Sequence, residues 1–116
     1  MKKIWHLSTC DTTQKILKDV EAEKKVAALQ DIKAEKITPR QLDEMKKLAG
    51  SYEALFSRRA IKYRSMGLNK KQLTEDDYRR LILEEYTFLK RPVAIVNDQI
   101  FIGNTKDVVE KLKKVL

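Results

Sequence analysis

The sequence holds 116 residues, 42% hydrophobic and 36% charged, with a net charge of +8. That size predicts one domain with a modest core that needs no metal or disulfide staple, and no apolar run approaches the roughly 20 residues of a membrane span. Acidic residues interleave with the lysines, as in Glu21–Lys25 and Asp43–Lys47, so the positive charge reads as solvated helix surface and direct DNA binding is not expected.

Lys3-Ile4-Trp5-His6-Leu7, bounded by Ser8-Thr9, predicts a first strand. Cys10-Asp11-Thr12-Thr13 is rich in capping residues, and Ile16, Leu17 and Val20 follow at helical spacing. Cys10 therefore stands where a strand hands over to a helix. Val26–Ile32 suits a second strand, although its alanines also suit a helix. Thr38-Pro39-Arg40-Gln41 is a capping box with proline at the first helical position. Leu42, Met45, Leu48 and Ala49 make one face of that helix, and Gly50 is placed to stop it.

Between Ser51 and Leu68, the residues Tyr52, Leu55, Phe56, Ile61 and Tyr63 predict short helical turns. Thr74-Glu75-Asp76-Asp77 opens another helix, its acids at the positive end of the dipole. Tyr78, Leu81, Ile82, Glu85 and Leu89 trace the face of that helix. Arg91-Pro92 ends the pattern. Val93–Val96 and Gln99–Ile102 flank Asn97-Asp98, the signature of a β-hairpin. Gly103 follows, and Asn104 reads as the cap of a last helix with Asp107 at its third position and Val108, Val109, Leu112, Val115 and Leu116 on its buried face. The order is β-α-β, a helical block over about 38–90, then β-β-α. The first two strands fit a right-handed parallel crossover and the last two pair antiparallel, giving an α/β fold around a mixed four-stranded sheet.

Cys10 is the only cysteine. It excludes an internal disulfide and points to a reducing, cytoplasmic setting. Lys2 and Lys3 precede only a short apolar stretch, which His6, Cys10 and Asp11 interrupt, so the start does not read as a secretory signal. At a helix N-terminus the free N–H groups and the dipole favour thiolate over thiol, and the thiolate is the nucleophile. A buried, inert cysteine is the alternative on local sequence alone. His6, the only histidine, has no partner at metal-ligand spacing and fits the sheet rim, and no residue cluster suggests zinc. The three glycines are isolated, so no phosphate-binding loop is present.

Several blocks together resemble the arsenate reductase–Spx family (ArsC–Spx). They are Trp5-His6 before Ser8-Thr9-Cys10, Cys10-Asp11-Thr12, Leu55-Phe56-Ser57-Arg58-Arg59, Leu89-Lys90-Arg91-Pro92-Val93 and Phe101-Ile102-Gly103. The resemblance runs nearly end to end and lies nearest the single-cysteine, glutathione-linked branch. It implies a thioredoxin-like fold with a helical insertion. It also implies that Pro92 is a cis-proline facing the active cysteine, and that Arg91, with Arg59 or Arg58, stabilises a thiolate or oxyanion. Thr12, Thr13 and Pro92 would then meet a thiol substrate. Arg59 fits the second arginine better than Arg58. On sequence alone Arg91, Arg58 and Arg59 also read as solvated charges, and Thr13 as a cap hydroxyl.

Two departures matter. Where some relatives carry a second cysteine three residues after the first, this chain has Thr13, so an adduct on Cys10 needs an external thiol to release it. A third family arginine after the hairpin falls at Gly103, which weakens the case for arsenate. The expected function is a thiol-dependent, arsenate reductase-like oxidoreductase with no bound cofactor and glutathione as cosubstrate. Glutathione, a glutaredoxin or a thioredoxin would be its partner. The alternative is an Spx-like regulatory module that binds RNA polymerase, and a third is an inert relative that merely retains Cys10.

Overall fold

The computed structural model describes residues 1–116. In chain order the elements are β1 (Lys2–His6), α1 (Asp11–Asp19), α2 (Ala22–Lys25), β2 (Ala28–Asp31), α3 (Pro39–Ala49), α4 (Ile61–Ser65), α5 (Glu75–Glu84), β3 (Val93–Val96), β4 (Gln99–Ile102) and α6 (Lys106–Val115). The chain divides into two compact units, Met1–Lys36 with Arg91–Leu116, and Ile37–Lys90.

The first unit is built on one sheet of order β2-β1-β3-β4. β1 runs parallel to β2 and antiparallel to β3, and β3 runs antiparallel to β4. The alternation of the strands sorts residues onto two faces. On one face Ile4, Ala94 and Val96 form a core with Ile16, Val20, Ala22, Val26 and Leu112, which brings α1 and α6 down onto the sheet. On the other face Trp5, Val93 and Ile95 are also buried, with Gln30 opposite Trp5 in register. The central strand β3, Val93-Ala94-Ile95-Val96, is buried at every position, which is why it reads as an unbroken apolar run.

The second unit is the helical block. Thr38 accepts the Gln41 N–H at 3.1 Å while the Gln41 side chain accepts the Thr38 N–H at 3.1 Å, closing the capping box of α3. Thr74 and Asp77 close the same reciprocal box at the start of α5. Inside, the Phe56 ring packs on Phe88, Tyr78 and Tyr63 at centroid distances of 5.0, 4.9 and 5.9 Å. Asp43 on α3 links to α5 through Arg79, whose Nε donates at 2.8 Å, and also accepts the Tyr52 hydroxyl at 2.6 Å.

The structure corrects the sequence reading in four places. The second strand is shorter than Val26–Ile32, because α2 occupies Ala22–Lys25 and its C-cap is Val26. α5 stops at Glu84, so Leu89 is not on its face. Glu85 is extended, Tyr86–Phe88 forms a single 3₁₀ turn, and Leu89 bridges to Phe56. Thr105, not Asn104, caps α6, its hydroxyl accepting the Val108 N–H at 3.4 Å. Asp107 consequently falls at the second helical position rather than the third.

Candidate active site

β1 delivers the chain to Leu7, whose carbonyl accepts the Cys10 N–H at 3.0 Å and closes a four-residue turn over Ser8-Thr9. Cys10 is the N-cap of α1, with extended backbone (φ −100°, ψ 107°). Its carbonyl takes the first helical hydrogen bond, from the Gln14 N–H at 3.0 Å. The N-cap side chain is the group that ordinarily accepts the N–H of the third helical residue. Here that residue is Thr13, and the capping atom is sulfur. The Cys10 side chain makes no cap hydrogen bond of ordinary geometry. A thiolate is a much better acceptor, so this position favours the ionised form.

The electrostatics follow from these contacts. Partial burial pushes the Cys10 thiol up, but the Thr13 hydroxyl and backbone N–H, then the hydrogen bond and positive charge of Arg91, outweigh it and leave the pKa below its ordinary value. The Thr13 hydroxyl is fully buried and has no conventional hydrogen-bond partner. What it meets is the Cys10 sulfur. Thr12, one position earlier, is exposed in the first turn of the helix.

Arg91 and Pro92 reach the site through strand pairing. β3 begins at Val93, opposite Trp5 of β1, so the two residues before it lie alongside the end of the strand that leads into Cys10. The Arg91–Pro92 peptide is cis, and Pro92 is buried. The Pro92 carbonyl accepts the Gly103 N–H at 2.9 Å.

Cys10, Thr13, Arg91 and Pro92 thus belong to one unit. Arg58 and Arg59 belong to the other. Arg58 donates through Nη2 to Glu53 at 2.6 Å and to the Tyr78 hydroxyl at 2.9 Å. Glu53, with the Tyr63 and Tyr78 hydroxyls, raises its pKa further, so it is held as a permanent cation. Arg59 is exposed and takes part in none of the ion pairs of the unit. No group of three or more His, Cys, Asp or Glu side chains converges to hold a metal ion.

Two residues that the sequence reading passed over touch the Cys10 turn. Gln14 donates from Nε2 to the Leu7 carbonyl at 3.0 Å and lies 3.2 Å from Nδ1 of His6. Asp31, at the end of β2, accepts the Ser8 N–H at 3.2 Å. Gln14 stands one helical turn from Cys10, so spacing could have found it. Asp31 carries no such local signal.

A mixed four-stranded sheet, a cysteine at the β1–α1 junction and a proline at the head of β3 define a thioredoxin-like protein with a helical insertion. The chain belongs to the ArsC family, whose sequence pattern matches residues 5–112. Among solved structures, a Yersinia pestis protein provisionally assigned as an arsenate reductase aligns at TM-score 0.81 with 17% identity, over 99% of this chain and 100% of that one. An arsenate reductase from Vibrio cholerae aligns at TM-score 0.77 with 18% identity, over 99% and 97%. SACOL0876 from Staphylococcus aureus COL aligns at TM-score 0.74 with 26% identity, over 96% and 97%. These likenesses establish the fold. No curated protein matches the sequence.

Proposed function

We propose that the protein is a thiol-dependent oxidoreductase of the arsenate reductase-like kind, with Cys10 as nucleophile and an external thiol completing the cycle. The observation that carries this reading is the convergence of Thr13 and Arg91 on the Cys10 sulfur, which holds the thiol pKa below its ordinary value. In the disulfide reaction the Cys10 thiolate attacks the glutathione sulfur of a mixed disulfide between glutathione and a second thiol. A Cys10–S bond forms, the S–S bond breaks and one thiolate leaves. A second thiol, from glutathione or a glutaredoxin- or thioredoxin-type protein, then attacks the adduct and expels the Cys10 thiolate. The attacking thiol leaves joined to the glutathione carried on Cys10, so each cycle consumes one mixed disulfide and one thiol and yields one free thiol and one new disulfide, and no internal cysteine takes part.

Arsenate fits the same scheme. The thiolate forms a Cys10–arsenic bond with loss of water. Glutathione attacks the Cys10 sulfur, the two electrons of the sulfur–arsenic bond leave with arsenite, and the resulting mixed disulfide is resolved by a second thiol. Arg91, with Arg59 or Arg58, would neutralise substrate charge, since a planar, permanently charged guanidinium suits an oxyanion. Thr12, exposed in the first turn of α1, and Pro92 would meet the thiol substrate, while the buried Thr13 would act on it through the Cys10 thiolate. The test is intact mass after treatment with oxidised glutathione. A single glutathione adduct, absent in Cys10→Ser and removed by a glutaredoxin, is expected. No adduct on the folded protein would defeat the reading.

A further inference from the structure

We infer that Asp31 is a positioning residue for the Cys10 nucleophile, acting through the turn that precedes it. The inference rests on the reading of Cys10 as a reactive thiolate. Asp31 is the last residue of β2 and stands opposite His6, the last residue of β1. Its Oδ1 accepts the Lys33 N–H at 3.1 Å, a short-range turn that fixes the side chain to its own backbone. The same oxygen accepts the Ser8 N–H at 3.2 Å, across 23 residues of sequence.

Ser8 is the second residue of the turn that the Cys10 N–H closes on the Leu7 carbonyl. Ser8 and Thr9 are exposed, and no core contact holds them. The turn is therefore held by Cys10 N–H to Leu7, by Gln14 Nε2 to Leu7, and by Ser8, through its N–H and its hydroxyl, to Asp31. The backbone of Cys10 leaves this turn directly, so the turn sets where its sulfur falls against Thr13 and Arg91. A displacement of a few tenths of an ångström weakens all the contacts that favour the thiolate, because hydrogen bonds fall off steeply with distance and angle.

The groups facing the Asp31 carboxylate are the Ser8 hydroxyl and N–H, the Lys33 N–H and His6 from β1. Although partial burial acts against it, they keep the carboxyl below its ordinary range, so it is a strong acceptor at neutral pH. A purely electrostatic role and a positioning role differ in sign. As a bare negative charge near the site, Asp31 would oppose the thiolate, and its removal would lower the Cys10 midpoint. As a positioning group, its removal raises the midpoint.

The experiment measures iodoacetamide alkylation of Cys10 across pH on the full chain, for wild type, Asp31→Ala, Asp31→Asn and Ser8→Pro. Asparagine keeps an acceptor oxygen where the carboxylate has one. Proline at the second turn position fits a turn with negative φ there and removes both the N–H and the hydroxyl through which Ser8 meets Asp31. We expect Asp31→Ala and Ser8→Pro to raise the midpoint and to slow alkylation at pH 7 by about threefold or more, and Asp31→Asn to stay near wild type. If Asp31→Ala fails to fold, Ser8→Pro and Asp31→Asn decide. Midpoints at or below the wild-type value in Asp31→Ala and Ser8→Pro overturn the inference while leaving the activated thiol intact. A wild-type midpoint at the free-thiol value defeats the reading of Cys10 itself, and this inference with it.

Discussion

The backbone N–H of Gly103 donates to the carbonyl of Pro92 at 2.9 Å, closing the base of the β3–β4 hairpin next to the Arg91–Pro92 pair. Gly103 holds φ at +91°, and no atom lies within 4 Å of where a Cβ would stand. A side chain there meets conformational strain but no clash. Gly103→Ala should therefore cost about 1–2 kcal/mol, lowering Tm by roughly 3–8 °C for a chain of this size. Thermal melts followed by circular dichroism check this. A variant as stable as wild type would show that the backbone relaxes freely at position 103.

Cys10 should titrate below the ordinary thiol range near 8.5, because Thr13 and Arg91 together outweigh the burial that raises it. A depressed folded-state pKa has a defined linkage to stability. The contribution is fully present above the unfolded value and is lost as pH falls through the folded one. The stability gap between wild type and Cys10→Ser should thus widen in favour of wild type from pH 6 to pH 9. Urea unfolding at the two pH values measures it, and a gap that narrows would contradict the assignment.

Thr13→Val separates reactivity from stability. The hydroxyl is fully buried and lacks a conventional partner, so replacing it with a methyl of similar shape removes a poorly satisfied polar group. Stability should hold or rise by up to about 1 kcal/mol. The Cys10 alkylation midpoint should rise, because one of the donors to the thiolate is gone while the backbone N–H remains. A loss of stability with an unmoved midpoint would make Thr13 a packing residue only.

Much of this architecture is written in short-range patterns. The boxes Thr38–Gln41 and Thr74–Asp77, the Asn97-Asp98 turn and the apolar run of β3 are local signals, and each element forms where its signal lies. The strand–Cys–helix order was legible for the same reason. Glu21 shows where local reading fails. It adopts φ +56° to start α2, between the buried Val20 and Ala22, a conformation that glutamate itself does not announce. Asp31 was invisible because its partner Ser8 lies 23 residues away. In sequence it is only the polar end of a strand.

The helical unit has its own acid sensitivity. Arg79, then the Tyr52 hydroxyl, holds the Asp43 carboxyl down to about 2. Its contribution is present above the ordinary carboxylate value and is lost as pH falls through about 2. Asp43 is about half exposed in this ion pair, so solvent screening keeps the effect modest. Asp43→Asn should lower the urea midpoint slightly at pH 6 and should leave it equal to wild type near pH 1.5. An equal midpoint at both pH values would show that the Asp43–Arg79–Tyr52 contact contributes nothing net.

Arsenate reduction should be weak beside glutathione-linked disulfide reduction. Arsenate arrives as an oxyanion, and its transition state concentrates charge on oxygens that need fixed donors. Removing one donor of this kind typically costs about 2.7–4 kcal/mol in the transition state, or roughly a hundred- to a thousandfold in rate. Where the family resemblance expects a third arginine, this chain has Gly103, which offers only a backbone N–H already committed to Pro92. Of the arginines that the proposed reading assigns to the oxyanion, Arg91 and one of Arg58 or Arg59 would remain, and Arg58 is already engaged by Glu53 and Tyr78. A glutathione mixed disulfide asks for less, since its leaving group is a single thiolate and its peptide backbone can pair with the chain beside Arg91-Pro92. Two assays on one glutathione–glutaredoxin couple separate the cases, one driven by arsenate and one by a small disulfide, each with Cys10→Ser as control. Cys10-dependent disulfide turnover at least about tenfold above arsenate turnover is expected. Robust arsenate turnover abolished by Cys10→Ser would mean that two arginines suffice for the oxyanion. No Cys10-dependent turnover in either assay would remove the enzymatic reading and turn attention to RNA polymerase as a binding partner.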